Sequence, residues 1–306
     1  MPGPDFITLT AEIIAAIDAN PSAPDLPWRR SGLHLPTNAQ TRKAYRGFNV
    51  LALWAAAIRR GYKHPVWATY RQWSALGAQV LGGERGTAIV YFQDRPSDPD
   101  DEDQRRRPLA RSSVVFCADQ VTGFVPPPPE VTSDWDRFAP AEAFITGTCA
   151  DIRYGGGEAY YSSLTDHIQI PHAEDFIDTP TSTARDGFYS TIFHELAHWS
   201  GAKKRLDRDL SGKFGSQSYA MEELVAELTA AFACAALNVT PTLRPDHAGY
   251  LANWAKVLRD EPRALTRAAS AAARAFDYLS GLTNIGLPSD ADLESTASLS
   301  VCFDHS

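Results

Sequence analysis

The chain has 306 residues, 44% hydrophobic and 22% charged, enough for a substantial core divided between two domains. No apolar run reaches the length of a membrane span, and Met1 to Asn20 carries Asp5, Glu12 and Asp18 without a basic leader region. Neither a membrane protein nor a secreted one is expected. The net charge of −8 argues against a nucleic-acid partner for the whole chain, yet residues 1–95 hold eleven Lys/Arg against six Asp/Glu, a net of +5 that leaves −13 for the rest.

In chain order, residues 7–19 read as an amphipathic helix opened by Thr8 or Thr10. Pro21, Pro24 and Pro27 break the chain before Trp28-Arg29-Arg30, and a polar turn runs from Pro36 to Gly47. An apolar helix follows from Asn49 to Arg60, ended by Gly61. Residues 67–70 are strand-like, 70–77 suggest a short helix, and 87–92 form the strongest strand of this half. Basic and aromatic side chains interleave here: Trp28, Arg29, Arg30, Arg42, Lys43, Tyr45, Arg46, Trp67, Tyr70 and Arg71, with Arg85 in the turn before the strand. Single strands are held by these two residue types, cations tracking phosphates and rings stacking on bases. The competing reading makes the aromatics core and the cations solvated.

Residues 95–108, an acidic block followed by a basic one, read as a loop interrupting a hairpin between 87–92 and 113–118. The domains are expected at 1–125 and 135–285, joined by a proline-rich linker at 126–134 and followed by a disordered tail at 286–306. In the second, 139–146 is helical and 151–154 extended, while 159–161 and 166–171 pair as strands that could bind extended peptide at an edge. His167 and His172 are candidate transition-state donors, although lone histidines are usually incidental. Helices are expected again from His247 to Arg259 and from Pro262 to Gly281. Four scattered cysteines, Cys117, Cys149, Cys234 and Cys302, form no C-x-x-C and read as free thiols in the cytoplasm.

The sharpest signal is Phe193-His194-Glu195-Leu196-Ala197-His198-Trp199, an H-E-x-x-H in an apolar helical frame that starts near Asp186 and stops at Gly201. Ordinary residue frequencies give roughly 0.01 chance matches in a chain this long. Positions i and i+4 share a helix face, so His194 and His198 can reach one metal, with Glu195 the candidate general base. The alternative is a helix with two exposed histidines. A catalytic zinc needs a third ligand, and the apolar helix around Tyr219 to Leu228 offers Glu223 and Glu227 on one face, with Glu222 pointing elsewhere. Glu223 is the expected ligand and Glu227 the acceptor for a ligand histidine's N–H; spacing alone leaves the reverse open. Zinc is the expected ion, and manganese or cobalt could take its place.

Two blocks carry a family resemblance. The first is Pro27-Trp28-Arg29-Arg30, Asn38-x-x-Thr41, Tyr45-Arg46-Gly47-x-Asn49, Gly61-Tyr62, Trp67-x-Thr69-Tyr70-Arg71-Gln72 and Gly83-Glu84-Arg85-Gly86. The second is His194 to Gly201, Arg205-Leu206-x-Arg208 and Tyr219-Ala220-x-Glu222-Glu223-Leu224-Val225-Ala226-Glu227-Leu228. Together they resemble the ArdC-type antirestriction proteins of conjugative plasmids. The resemblance implies an α+β protein with two domains. One is a mixed α/β single-stranded DNA-binding domain, shared with TraC-like proteins; the other is a zincin-like metallopeptidase domain. It also implies protection of incoming conjugative DNA from host restriction, with single-stranded DNA as partner, a possible protein substrate and no membrane. The 95–108 loop matches nothing in that pattern. Two rival readings are a metallopeptidase with no DNA role and a non-catalytic DNA-binding protein with a structural metal.

Overall fold

The computed structural model describes residues 6–21, 24–93, 109–126, 138–213, 215–241 and 248–283. The charged loop at 95–108, the linker beyond Pro126 and the tail at 286–306 lie outside the described residues.

In the N-terminal half, α1 (Phe6–Ala19) buries Leu9, Ile13 and Ile17 at helical spacing. It starts upstream of the expected Thr8 or Thr10. Thr10 is buried inside the helix and donates its hydroxyl to the Phe6 carbonyl, 2.7 Å away. Then come β1 (Thr37–Asn38), α2 (Phe48–Arg60), β2 (Val66–Thr69), α3 (Tyr70–Ala75), β3 (Gln79–Val80), β4 (Thr87–Gln93), β5 (Leu109–Cys117) and β6 (Val121–Thr122). A four-stranded sheet has the order β1-β2-β5-β4, with β1 parallel to β2 and the other pairs antiparallel. The expected hairpin is β4 on β5, Thr87 standing opposite Val115. Alternation puts Trp67 on one face, packed with Leu53 and Ala56 of α2, and Ala68 on the other, against Trp73 of α3.

The C-terminal half holds α4 (Ala139–Gly147), β7 (Asp151–Tyr154), β8 (Tyr160–Ser162), β9 (His167–Ile170), α5 (Ala184–Ser200), α6 (Gln217–Leu237), α7 (Ala248–Asp260) and α8 (Ala264–Leu282). Strand β9 is central, parallel to β7 and antiparallel to β8, and its Ile168 and Ile170 pack on Ile192, Phe193 and Leu196 of α5. Helix α5 starts two residues before the expected Asp186. Thr183 caps it, Asp186 closes a reciprocal capping box, and the buried Asp186 carboxylate also accepts from Thr240 N at 2.8 Å, just past the end of α6. No helix among the described residues is long and apolar enough to cross a membrane.

The chain is α+β in two domains, but its largest core belongs to both. Leu9, Ile13, Trp28, Leu51 and Trp54 interlock with Leu224, Leu228, Phe232, Leu251, Trp254 and Leu265. Just before α2, Gly47 takes the left-handed φ of +56° that favours glycine and lies against Ala269 of α8; next to it Arg46 pairs with Asp277 of α8. The sequence suggests two separable units. Their apolar faces are instead each other's cover, so a fragment ending near residue 130 would expose one of them. The whole chain should therefore unfold in one thermal transition, and Trp28→Ala, from a site 1% exposed, should lower that single midpoint at a cost of ~3–5 kcal/mol. Calorimetry showing two transitions, of which only one moves, would contradict the shared core.

Candidate metal centre

Helix α5 presents His194 and His198 one turn apart, and α6 crosses it so that Glu223 faces them. The two Nε2 atoms are 3.1 Å apart, and Glu223 places one oxygen 3.4 Å from His194 Nε2 and the other 3.5 Å from His198 Nε2. Imidazole nitrogens this close repel unless a proton or a cation lies between them. Three donors around a tetrahedral ion with bonds of 2.0–2.1 Å stand about 3.3–3.4 Å apart, so this donor set fits one divalent cation. The three residues are the group of His, Cys, Asp or Glu side chains among the described residues that could hold a metal ion. His194 is 3% and Glu195 2% exposed, which removes the reading of two surface histidines on an exposed helix.

Around this cluster the sequence expectation needs correction. Glu222, read as pointing elsewhere, places Oε1 3.2 Å from His198 Nδ1, while Arg208 grips it with Nε on Oε2 at 2.9 Å and Nη2 on Oε1 at 2.8 Å. The same guanidinium donates to the Ser200 hydroxyl (3.0 Å) and the Ala197 carbonyl (2.6 Å), tying α5 to α6. Gly201 leaves room for it, since a Cβ there would come within 2.7 Å of Arg208 Nη2. Glu227, the expected acceptor for a histidine, instead accepts from Arg29 Nε at 2.8 Å, a pair whose side chains are 11% and 6% exposed. Helix α6 is buried on several sides, so a glutamate turned away from one wall meets another rather than water.

Burial alone would raise the Glu222 carboxyl, but the hydrogen bonds with His198 and Arg208 outweigh it and hold it below the usual carboxylate range. Burial alone would lower His198; the hydrogen bond to Glu222 and the charges of Glu223, Glu222 and Glu195 prevail and lift it to about 9 without a metal. A cavity of about 670 Å³ opens over the cluster, reaching Tyr160 and Tyr161 on β8, Asp209 and Leu210 after α5, and Tyr219 on α6. His167, with Nδ1 2.6 Å from the Thr165 hydroxyl, and His172 are not among its lining residues.

The interleaved basic and aromatic residues divide. Trp28 and Trp67 are each 1% exposed and lie in the core, so neither can stack on a base. Arg29 pairs with Glu227 and lies 5.7 Å from the Trp254 ring centre. Tyr45 is half-buried, accepts from Asn38 Nδ2 at 3.1 Å, and has its hydroxyl pushed up to about 12 by burial. Arg46 is held by Asp277, and Arg30 by Asp25. Arg42, Tyr70, Arg71 and Arg85 are exposed and Lys43 half-exposed. Arg42 and Lys43 sit on the turn after Asn38, which bonds Gln72 in the first turn of α3 beside Tyr70 and Arg71. The sequence reading missed exposed Tyr91 and Arg111, which the β4–β5 register sets directly opposite each other.

Residues 7–116 match the N-terminal domain of anti-restriction factor ArdC, and residues 139–271 match the zincin-like metallopeptidase family. The uncharacterized protein y4eC of Sinorhizobium fredii is 45% identical, over 89% of this chain and 90% of that protein. DNA primase TraC of Escherichia coli is 33% identical over 91% of this chain, which spans only 20% of the primase's length. The metal-free crystal structure of the antirestriction protein ArdC from the R388 plasmid aligns with a TM-score of 0.73 at 33% identity, covering 91% of this chain and 97% of that one. Its Mn(II)-bound structure gives 0.71 at 32% identity, covering 92% and 99%.

A divalent cation should raise the melting temperature of chelator-stripped protein, by the equivalent of about 2.7 kcal/mol at a hundredfold excess over Kd. Without metal, the raised His198 pKa contributes stability that is complete below about 6.5 and lost as pH rises through about 9. Metal must displace that proton, so apparent affinity should fall about tenfold per pH unit below about 9. Scanning fluorimetry at pH 6.5 and 8.5 should show the larger metal-induced shift at the higher pH; equal shifts would rule out proton displacement.

Proposed function

Because this chain belongs to the ArdC antirestriction family, we propose that it protects incoming conjugative DNA in the cytoplasm by binding single strands through its N-terminal domain. Its C-terminal domain then acts as a zinc-dependent peptidase on a protein of the restriction or DNA-processing machinery. The observation that carries the peptidase reading is the convergence of His194, His198 and Glu223 on one point, with Glu195 beside them and a cavity above. In this reading those three residues hold the ion; zinc suits two imidazoles and a carboxylate, and manganese or cobalt fits the same donors. The ion, when bound, supplies a Lewis acid and makes a water acidic enough to attack at neutral pH. Glu195 takes the proton of the attacking water and returns it to the leaving amine. Glu222, fixed by Arg208, accepts from His198 Nδ1 and so keeps Nε2 turned toward His194 and Glu223. Strand β8, at the edge of its sheet, offers backbone groups to an extended peptide.

For the DNA half, the exposed set Arg42, Lys43, Tyr70, Arg71 and Arg85 is the proposed contact surface, with Tyr91 as a further stacking face. Trp28, Arg29 and Trp67 are withdrawn from it because the fold uses them. Fluorescence anisotropy on the whole chain should show a preference for single over double strands and a linear loss of log K with log salt. Replacing Arg42, Arg71 and Arg85 with Ala should flatten that slope by ~2, at about 0.7 per lost single-strand phosphate contact. Glu195→Gln should bind DNA unchanged and hydrolyse no peptide. An unaltered slope in the triple variant would place the surface elsewhere, and no single-strand binding at low salt would end the DNA reading.

A further inference from the structure

The charge of the cavity over the metal cluster bears on what enters it. Its lining includes five carboxylates, Glu158, Glu195, Asp209, Glu222 and Glu223, and no lysine or arginine among the described residues. Three of these have work inside the cluster: Glu223 faces both histidines, Glu222 is matched by Arg208, and Glu195 is buried beside them. Glu158 and Asp209 are different. Both are exposed, and they reach the cavity from separate connections, Glu158 from the turn before β8 and Asp209 from the segment between α5 and α6. Asp209 is fixed in place, accepting from the Ser211 amide at 3.0 Å and the Ser211 hydroxyl at 2.5 Å, and these bonds hold its carboxyl below the usual range.

A divalent ion balances the charges of Glu223 and Glu195, so the uncompensated charge of the cleft is that of Glu158 and Asp209. A cleft lined by one sign of charge concentrates ligands of the other and repels its own. A phosphodiester backbone entering here would meet carboxylates at the rim and no cation except the ion itself. An extended polypeptide with a lysine or arginine near the scissile bond would pair its backbone with edge strand β8 and its cation with the rim.

Building on the peptidase reading, we propose that the cleft is selective for basic polypeptide segments and against nucleic acid, with Glu158 and Asp209 as the specificity-determining residues. Segments of that chemistry are what DNA-binding proteins present to phosphates, and the basic N-terminal half would meet such proteins on the same strand.

The test uses the whole chain loaded with Zn²⁺ and matched ten-residue peptides differing only in Lys or Glu beside a common core, with cleavage read by mass spectrometry. The lysine peptides should be cut with a kcat/KM ~10-fold or more above their glutamate partners. The double variant Glu158→Lys, Asp209→Lys should lose or invert that ratio while keeping the metal-induced melting shift, which shows that the fold and cluster survive. Equal cleavage of both peptides, or an unchanged ratio in the double variant, would overturn the proposal. If no peptide is cut, the peptidase reading fails by itself, and the charge inference is decided by anisotropy of labelled peptides on Zn²⁺-loaded Glu195→Gln. Tighter binding of the lysine peptides, reversed by the double variant, would sustain it; equal or absent binding would overturn it too.

Discussion

A buried carboxylate must have a partner, and α6 carries three within two turns. Glu222, Glu223 and Glu227 are each buried, and leaving any of them unmatched would cost several kcal/mol. Each is met from a different direction: Glu222 by Arg208 and His198, Glu223 by the His194–His198 pair, Glu227 by Arg29 of the other half. Once these three partners are fixed, so are the crossing of α5 on α6, the path of the connector that brings Arg208 back over Gly201, and the seat of the Pro27–Arg29 turn on α6.

That arrangement makes the two halves one mechanical object. Arg29 and Trp28 enter the same core from the N-terminal side, and Trp254 of α7 lies close to the Arg29 guanidinium. The Glu227 that holds Arg29 is one turn from the Glu223 that faces the histidines, so a shift of the Pro27–Arg29 turn would be felt on the helix that brings Glu223 to them. The packing alone sets this relation; it needs no hinge and no linker contact.

Much of this was legible in the residues, and the failures have a common cause. That His194 and His198 share one face follows from helical periodicity, which is local; the choice of Glu223 over Glu227 does not, because spacing puts both on one face of α6 and only the crossing of α5 separates them. The split between Glu222 and Glu227 was misread because the i, i+4 rule tells which residues share a face but not how many faces a helix buries. Trp28, Arg29 and Trp67 were misread because composition cannot separate a ring or cation that meets solvent from one that meets another part of the chain. Several motif residues of the first block prove to be internal joints. Asn38 bonds both Tyr45 and Gln72, Gln72 closes the cap of α3, and Asn49 holds both the amide and the carbonyl of Val90 on edge strand β4. A motif residue can thus hold the frame that displays a function without touching its ligand.

The opposite charges of the two halves then acquire a physical reason. If the exposed cations of the N-terminal half hold single strands as proposed, an ion set in a cleft open to those strands would attract them as well. Carboxylates at the cleft rim oppose that attraction where the ion stands, while the basic surface remains attractive where it does not. Under the proposed function, separation by sign would let one chain carry a cation centre and a polyanion ligand without the second occupying the first. The net charge of −8 is therefore a poor guide to partners: it averages two surfaces whose value lies in their difference.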